Sequence, residues 1–145
     1  MRRAGLAAAL VGLFALGAAE AAEKRFVVVA PASGNAFYDA VGEGCRARAA
    51  AVGATCTLIG PGGEEKRTQG EILRDLVADR VDGIAVSPAR LDEAVPPLTA
   101  AAKAGIPVVA FDADLPPPLR RAFVGTNARD FGRALASSLR RWKPA

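Results

Sequence analysis

A chain of 145 residues, 51% of them hydrophobic and 23% charged, has the length and balance of one folded domain with a single core. Its net charge of +4 is spread thinly, with Arg46, Arg48, Arg67, Arg74 and Arg80 on three separate segments, which excludes the concentrated basic face that a nucleic-acid partner requires. Histidine is absent, and with it the Ser-His-Asp and Cys-His arrangements, the commonest general base and the commonest zinc ligand, so neither an enzyme, a metal site nor a cofactor is expected.

Residues 1–22 read as a secretory leader. Arg2 and Arg3 give a positive start, Leu6 to Leu16 is an uncharged apolar run, and Ala19-Glu20-Ala21 supplies a small-x-small cleavage pattern. The run is shorter than the roughly 20 residues that span a bilayer. No cysteine sits at the cleavage site for lipid attachment. The mature protein, residues 23–145, is therefore expected in the periplasm, with no membrane insertion after cleavage.

Strands and helices then alternate. The first apolar run is Phe26-Val27-Val28-Val29-Ala30, and Phe37, Val41, Cys45, Ala49 and Val52 follow at helical spacing up to Gly53. Cys56-Thr57-Leu58-Ile59 is the second strand. In an oxidising compartment Cys45 and Cys56 are expected to pair, the alternative being two buried thiols. Gly60-Pro61-Gly62-Gly63 lacks the spacing and lysine of a phosphate loop and reads as a flexible connection. Ile72, Leu73, Leu76 and Val77 mark the second helix, and Gly83-Ile84-Ala85-Val86 the third strand. Ala94, Val95, Leu98, Ala101 and Ala102 mark a third helix whose regular part is placed from Pro96-Pro97 and which ends at Gly105. Pro107 to Phe111 is the fourth strand, Leu115-Pro116-Pro117-Pro118 a stiff loop, and Ala122 to Gly125 the fifth strand. Phe131, Leu135, Leu139 and Trp142 mark a last helix. Near-continuous, β-branched strands separated by helices predict an α/β fold: an open parallel sheet with helices on both faces.

In such sheets ligands bind beyond the carboxyl ends of the strands. The first strand is followed by Ser33-Gly34-Asn35-Ala36-Phe37-Tyr38, the third by Ser87-Pro88, the fourth by Asp112-Ala113-Asp114 and the fifth by Thr126-Asn127. Carboxylates and amides hold sugar hydroxyls through paired hydrogen bonds, and an aromatic ring covers the apolar face of a sugar. No Lys or Arg stands in these clusters, so a neutral polyol suits them better than a phosphorylated ligand. The candidate ligand-binding residues are Ser33, Asn35, Phe37, Tyr38, Ser87, Asp112, Asp114 and Asn127. Structural roles compete with that assignment: Ser33, Ser87 and Asn127 can cap helices, and one of Phe37 and Tyr38 can belong to the core.

These segments are similar to the ribose-type periplasmic sugar-binding proteins. Ser33 to Tyr38 resembles that family's first-strand motif, Asp82-Gly83-Ile84-Ala85-Val86-Ser87-Pro88 its third strand, and Ala104 to Asp114 its fourth strand with the sugar-binding aspartate. Phe123-Val124-Gly125-Thr126-Asn127 with Gly132-Arg133-Ala134 resembles its fifth strand and the following helix. The resemblance implies a Rossmann-like lobe of a type 1 periplasmic binding fold that captures a monosaccharide or related polyol and delivers it to an ABC transporter permease. Asn35, Phe37 and Asp112 carry over most directly, with Tyr38 behind them. Many members have an arginine after the aspartate where this chain has Ala113, which leaves the particular sugar open.

The family has two lobes that clamp the ligand, and residues 23–145 amount to the amino-terminal one. The chain is accordingly expected to bind weakly or not at all unaided, whether it is a natural short protein or comes from an interrupted gene. A standalone periplasmic sensing or adaptor domain that contacts a membrane receptor is the alternative. An exported enzyme using Asp112 and Asp114 is a weaker one, and a lac-repressor-type regulator is excluded by the leader.

Overall fold

The computed structural model describes residues 23–142, and the leader expected over residues 1–22 lies outside them. Strands and helices alternate as β1 (Lys24–Val29), α1 (Ala36–Ala50), β2 (Ala54–Ile59), α2 (Gln69–Ala78), β3 (Gly83–Val86), α3 (Leu91–Lys103), β4 (Val108–Phe111), β5 (Ala122–Val124) and α4 (Ala128–Trp142). A short 3-10 turn, Pro117–Leu119, lies in the proline-rich loop before β5. All strand pairings are parallel, in the order β2-β1-β3-β4-β5. The chain leaves β1 toward one edge and β3 toward the other, so the topological switch point lies between these two strands.

Side chains alternate across each strand, and both faces are covered, which is why the strands read as continuous apolar runs. Val27, Val29, Ile84, Val86 and Val108 face α2 and α3, where Ile72, Leu73, Leu98 and Ala101 complete the larger core. Val28, Cys56 and Phe111 face α1, whose Tyr38, Val41 and Cys45 pack against them in a smaller one. Cys45 on α1 is bonded to Cys56 on β2, with Cα atoms 5.9 Å apart, so the free-thiol alternative is overturned.

α2 opens with a capping box: Thr68 Oγ1 accepts from the Glu71 N–H, and the Glu71 carboxylate accepts from the Thr68 N–H. The third helix departs from the sequence reading. It begins at Leu91, and Pro96 and Pro97 both lie inside it. Pro97 has no N–H to give the Glu93 carbonyl. That oxygen faces Gly70 of α2 instead, where a Cβ would approach it to 2.9 Å. Pro96 leaves the Asp92 carbonyl without its helical donor in the same way, so the helix loses two rungs, one of them where α2 and α3 meet backbone to backbone.

α4 forms where its periodicity places it, yet no residue in it is buried. Phe131, Leu135, Leu139 and Trp142 are all exposed, Trp142 at 88%. The packed unit therefore ends with β5.

Candidate ligand-binding site

Asn35 starts the site by starting α1. Its Oδ1 accepts from the Phe37 N–H at 2.9 Å, which fixes Phe37 and Tyr38 in the first turn of the helix. The two rings meet edge-on with centroids 5.1 Å apart, and Tyr38 meets Phe111 in the same manner at 6.1 Å. Tyr38 is the core member of the pair, half-buried in the smaller core. Phe37 is 55% exposed and presents its ring to solvent.

Asp112 follows β4. Its N–H donates to the Val124 carbonyl at 3.0 Å, extending the β4–β5 ladder by one bond. Its φ is +60°, a left-handed conformation that non-glycine residues adopt at a cost and that clusters at functional sites. The Tyr38 hydroxyl (2.8 Å) and the Ser87 hydroxyl (3.2 Å) both donate to Asp112 Oδ2. Among the described residues, no protein donor reaches Oδ1, and the residue is exposed. Partial burial first, and then the hydrogen bond to this carboxylate, raise the Tyr38 phenol above its ordinary value. Tyr38 therefore stays a proton donor throughout the neutral range.

Ser87 is 1% exposed at the end of β3 and caps no helix, since the cap of α3 is Arg90. Three residues from three strand ends thus converge: Tyr38 after β1, Ser87 after β3 and Asp112 after β4. Phe37 stands beside them. Phe37, Val41, Phe111, Asp112, Val124 and Thr126 line an opening of about 420 Å³. It adjoins a cleft of about 550 Å³ lined by Asp112, Asp114, Phe123, Thr126 and Asn127.

Other sequence-predicted residues are engaged elsewhere. Asp114 Oδ1 accepts from the Leu115 N–H at 2.7 Å, and its carboxylate pairs with Arg120 at 2.5 Å, which turns it toward its own loop. Asn127 Oδ1 accepts from the N–H groups of Arg129 and Asp130 at the start of α4, so its capping role is realised. Ser33 stands apart: its N–H donates to the Pro61 carbonyl at 2.7 Å, and its Oγ would lie 3.0 Å from a Cβ at Gly62. With Tyr38 it borders a third cleft, of about 410 Å³, whose far wall includes Glu64 and Glu65. Hydrogen bonds from the Arg67 guanidinium hold the Glu65 carboxyl down at about 2.

Gln69 was not singled out by the sequence. It is 2% exposed, in the first turn of α2 beneath the switch point. Its Nε2 donates to the carbonyls of Ala30 and Ser87, both at 2.9 Å, and its Oε1 accepts from the Ala89 N–H at 2.8 Å. A glutamine just inside a helix cap carries no pattern that separates it from a solvated one.

No curated protein sequence matches the chain. Solved structures do. A glucose-galactose binding protein from Geobacillus stearothermophilus is 32% identical with a TM-score of 0.70, the match covering 81% of this chain and 44% of that one. An ABC transporter solute-binding protein from Burkholderia graminis in complex with D-arabinose is 26% identical with a TM-score of 0.73, over 81% of this chain and 40% of that one. One from Clostridium phytofermentas with bound L-rhamnose shares the fold at 22% identity, with a TM-score of 0.72 over 82% and 37% of the two chains. The chain thus spans less than half the length of each of these structures. A periplasmic binding protein domain model matches residues 26–145, nearly all of the sequence beyond the leader-like segment, and with the open parallel sheet this makes the chain a member of the periplasmic binding protein domain family.

Proposed function

We propose that the chain binds a monosaccharide or related polyol at the carboxyl edge of its sheet, in the periplasm, for delivery to an ABC importer. The observation that carries this reading is the Asp112 carboxylate. Two protein hydroxyls orient it through Oδ2, while Oδ1 is left to accept from a ligand hydroxyl beside the exposed ring of Phe37. A sugar hydroxyl donating to a fixed carboxylate makes a charge-assisted bond, and the C–H face of the sugar covers the ring. The sugar-binding titles of the similar structures support the same ligand class.

The site is open to solvent on one side, so these residues supply one face of the contacts and the ligand stays wet. Titration with a panel of pentoses and hexoses, followed by calorimetry and by amide shifts, should give millimolar binding with shifts at Tyr38, Ser87 and Asp112. Micromolar or tighter binding would overturn the view that this face is half a site. No sugar-dependent shift at any of the three would sink sugar binding. The bare apolar stripe of α4 would then favour a second reading, an adaptor domain that contacts a membrane receptor through that helix.

A further inference from the structure

We infer that Gln69 is a positioning residue of this site, holding the ends of β1 and β3 so that Ser87 and Tyr38 reach Asp112; the inference rests on the sugar-binding reading for its ligand arm only. Two prolines, Pro31 and Pro61, create the need for such a brace. In a parallel ladder, a residue that donates its N–H to one position of the neighbouring strand accepts at its carbonyl from the position two further along. Ser87 donates to the Val29 carbonyl, so its own carbonyl awaits the N–H of residue 31, which is Pro31. Ala30 donates to the Ile59 carbonyl, so its carbonyl awaits the N–H of residue 61, which is Pro61. Proline has no N–H, and both rungs are lost. Both residues are buried, where an unpartnered carbonyl is costly.

The two N–H groups of the Gln69 amide fill these two vacancies at 2.9 Å each. Its oxygen takes the N–H of Ala89, just beyond Pro88. One side chain thus replaces a rung on each side of β1, with both amide N–H donors and the amide oxygen engaged. What it secures is the point where three strand ends separate to open the site. Ser87, whose carbonyl it holds, carries the hydroxyl on Asp112. Ala30, held by the other N–H, leads into the loop that ends in Phe37 and Tyr38.

Tyr38 is the single tyrosine of the chain, so the phenolate absorbance of the folded protein reports this site without any ligand. Replacing Gln69 by leucine keeps the bulk and removes all three bonds. The Gln69→Leu protein is expected to titrate Tyr38 at a midpoint displaced from the parent's, and to lose about tenfold in sugar response. Gln69→Glu at neutral pH turns carboxylate oxygens toward two carbonyl oxygens and should have the same effect. Its sugar response should recover only in part as the pH falls, because the protonated carboxyl has one O–H donor for two carbonyls. Where the leucine variant fails to fold, Gln69→Met, unbranched and of similar length, removes the same three bonds and is read by the same Tyr38 midpoint. A purely structural role would lower the melting temperature and leave the Tyr38 midpoint in place. A folded variant with the parental midpoint therefore overturns the inference. A shifted midpoint in a protein whose parent answers to no sugar leaves the positioning role standing and removes the ligand assignment.

Discussion

Replacing Cys45 and Cys56 together by alanine is expected to destabilise the chain by about 3 kcal/mol and to lower its melting temperature by about 10 °C. The bond closes a short loop, with a sequence separation of 11, between α1 and β2. α1 has little else to hold it down. Its fully buried residues are Gly42 and Ala49, and Tyr38, Val41 and Cys45 are only partly covered. Burying small residues gains little apolar area, so the cross-link carries a share of the attachment that side chains carry for α2 and α3. Thermal melts of the double variant, and of the parent in reductant, check this. A shift below about 2 °C in both would show that packing alone suffices.

Asp112→Ala should weaken any sugar response by about a hundredfold, because it removes the charged acceptor. Comparing substitutions separates chemistry from backbone strain. At φ +60° alanine is strained, asparagine tolerates the conformation and glycine is free in it. Stability should therefore rank glycine above asparagine above alanine, whereas ligand response should rank asparagine above the other two. A single order shared by both measurements would mean that strain, and not the carboxylate, explains the effect. The pH dependence follows from Tyr38, whose folded pKa is raised. Its contribution to stability is complete below the unfolded value of about 10 and is lost as the pH rises through the folded one. Urea unfolding should show that alkaline loss in the parent and a smaller one in Asp112→Asn, where burial still acts and the charge does not.

The sheet was legible because strands covered on both faces must be apolar almost throughout. The strand starts were not: β1 begins at Lys24, where exposed residues join the ladder without joining the core, and β2 at Ala54, which is buried but too small to extend the apolar run visibly. The start of α3 was hidden by a rule that is locally sound, since two prolines argue against a helix interior. Only the approach of Gly70 shows where the freed Glu93 carbonyl goes. At the site, the strand-end argument reached Tyr38, Ser87 and Asp112, which the fold brings together. It could not sort polar residues that face the cleft from those that cap or brace. Asn35 and Asn127 cap helices, and Asp114 turns to Arg120, six residues along its own loop. Gln69 escaped notice for a different reason. Its role is created by Pro31 and Pro61 on neighbouring strands, so no window of sequence around it contains the cause.

α4 also divides the chain into two tiers of local stability. Its 15 residues are near the length at which an isolated helix in water is marginal, and no residue in it is buried to add to that margin. Opening it requires breaking only its own ladder, whereas the amides of β1 and β3 open only with the sheet. Hydrogen exchange and trypsin should therefore act first beyond β5, at Arg133, Arg140 and Arg141, and leave the strand ends that carry the site untouched.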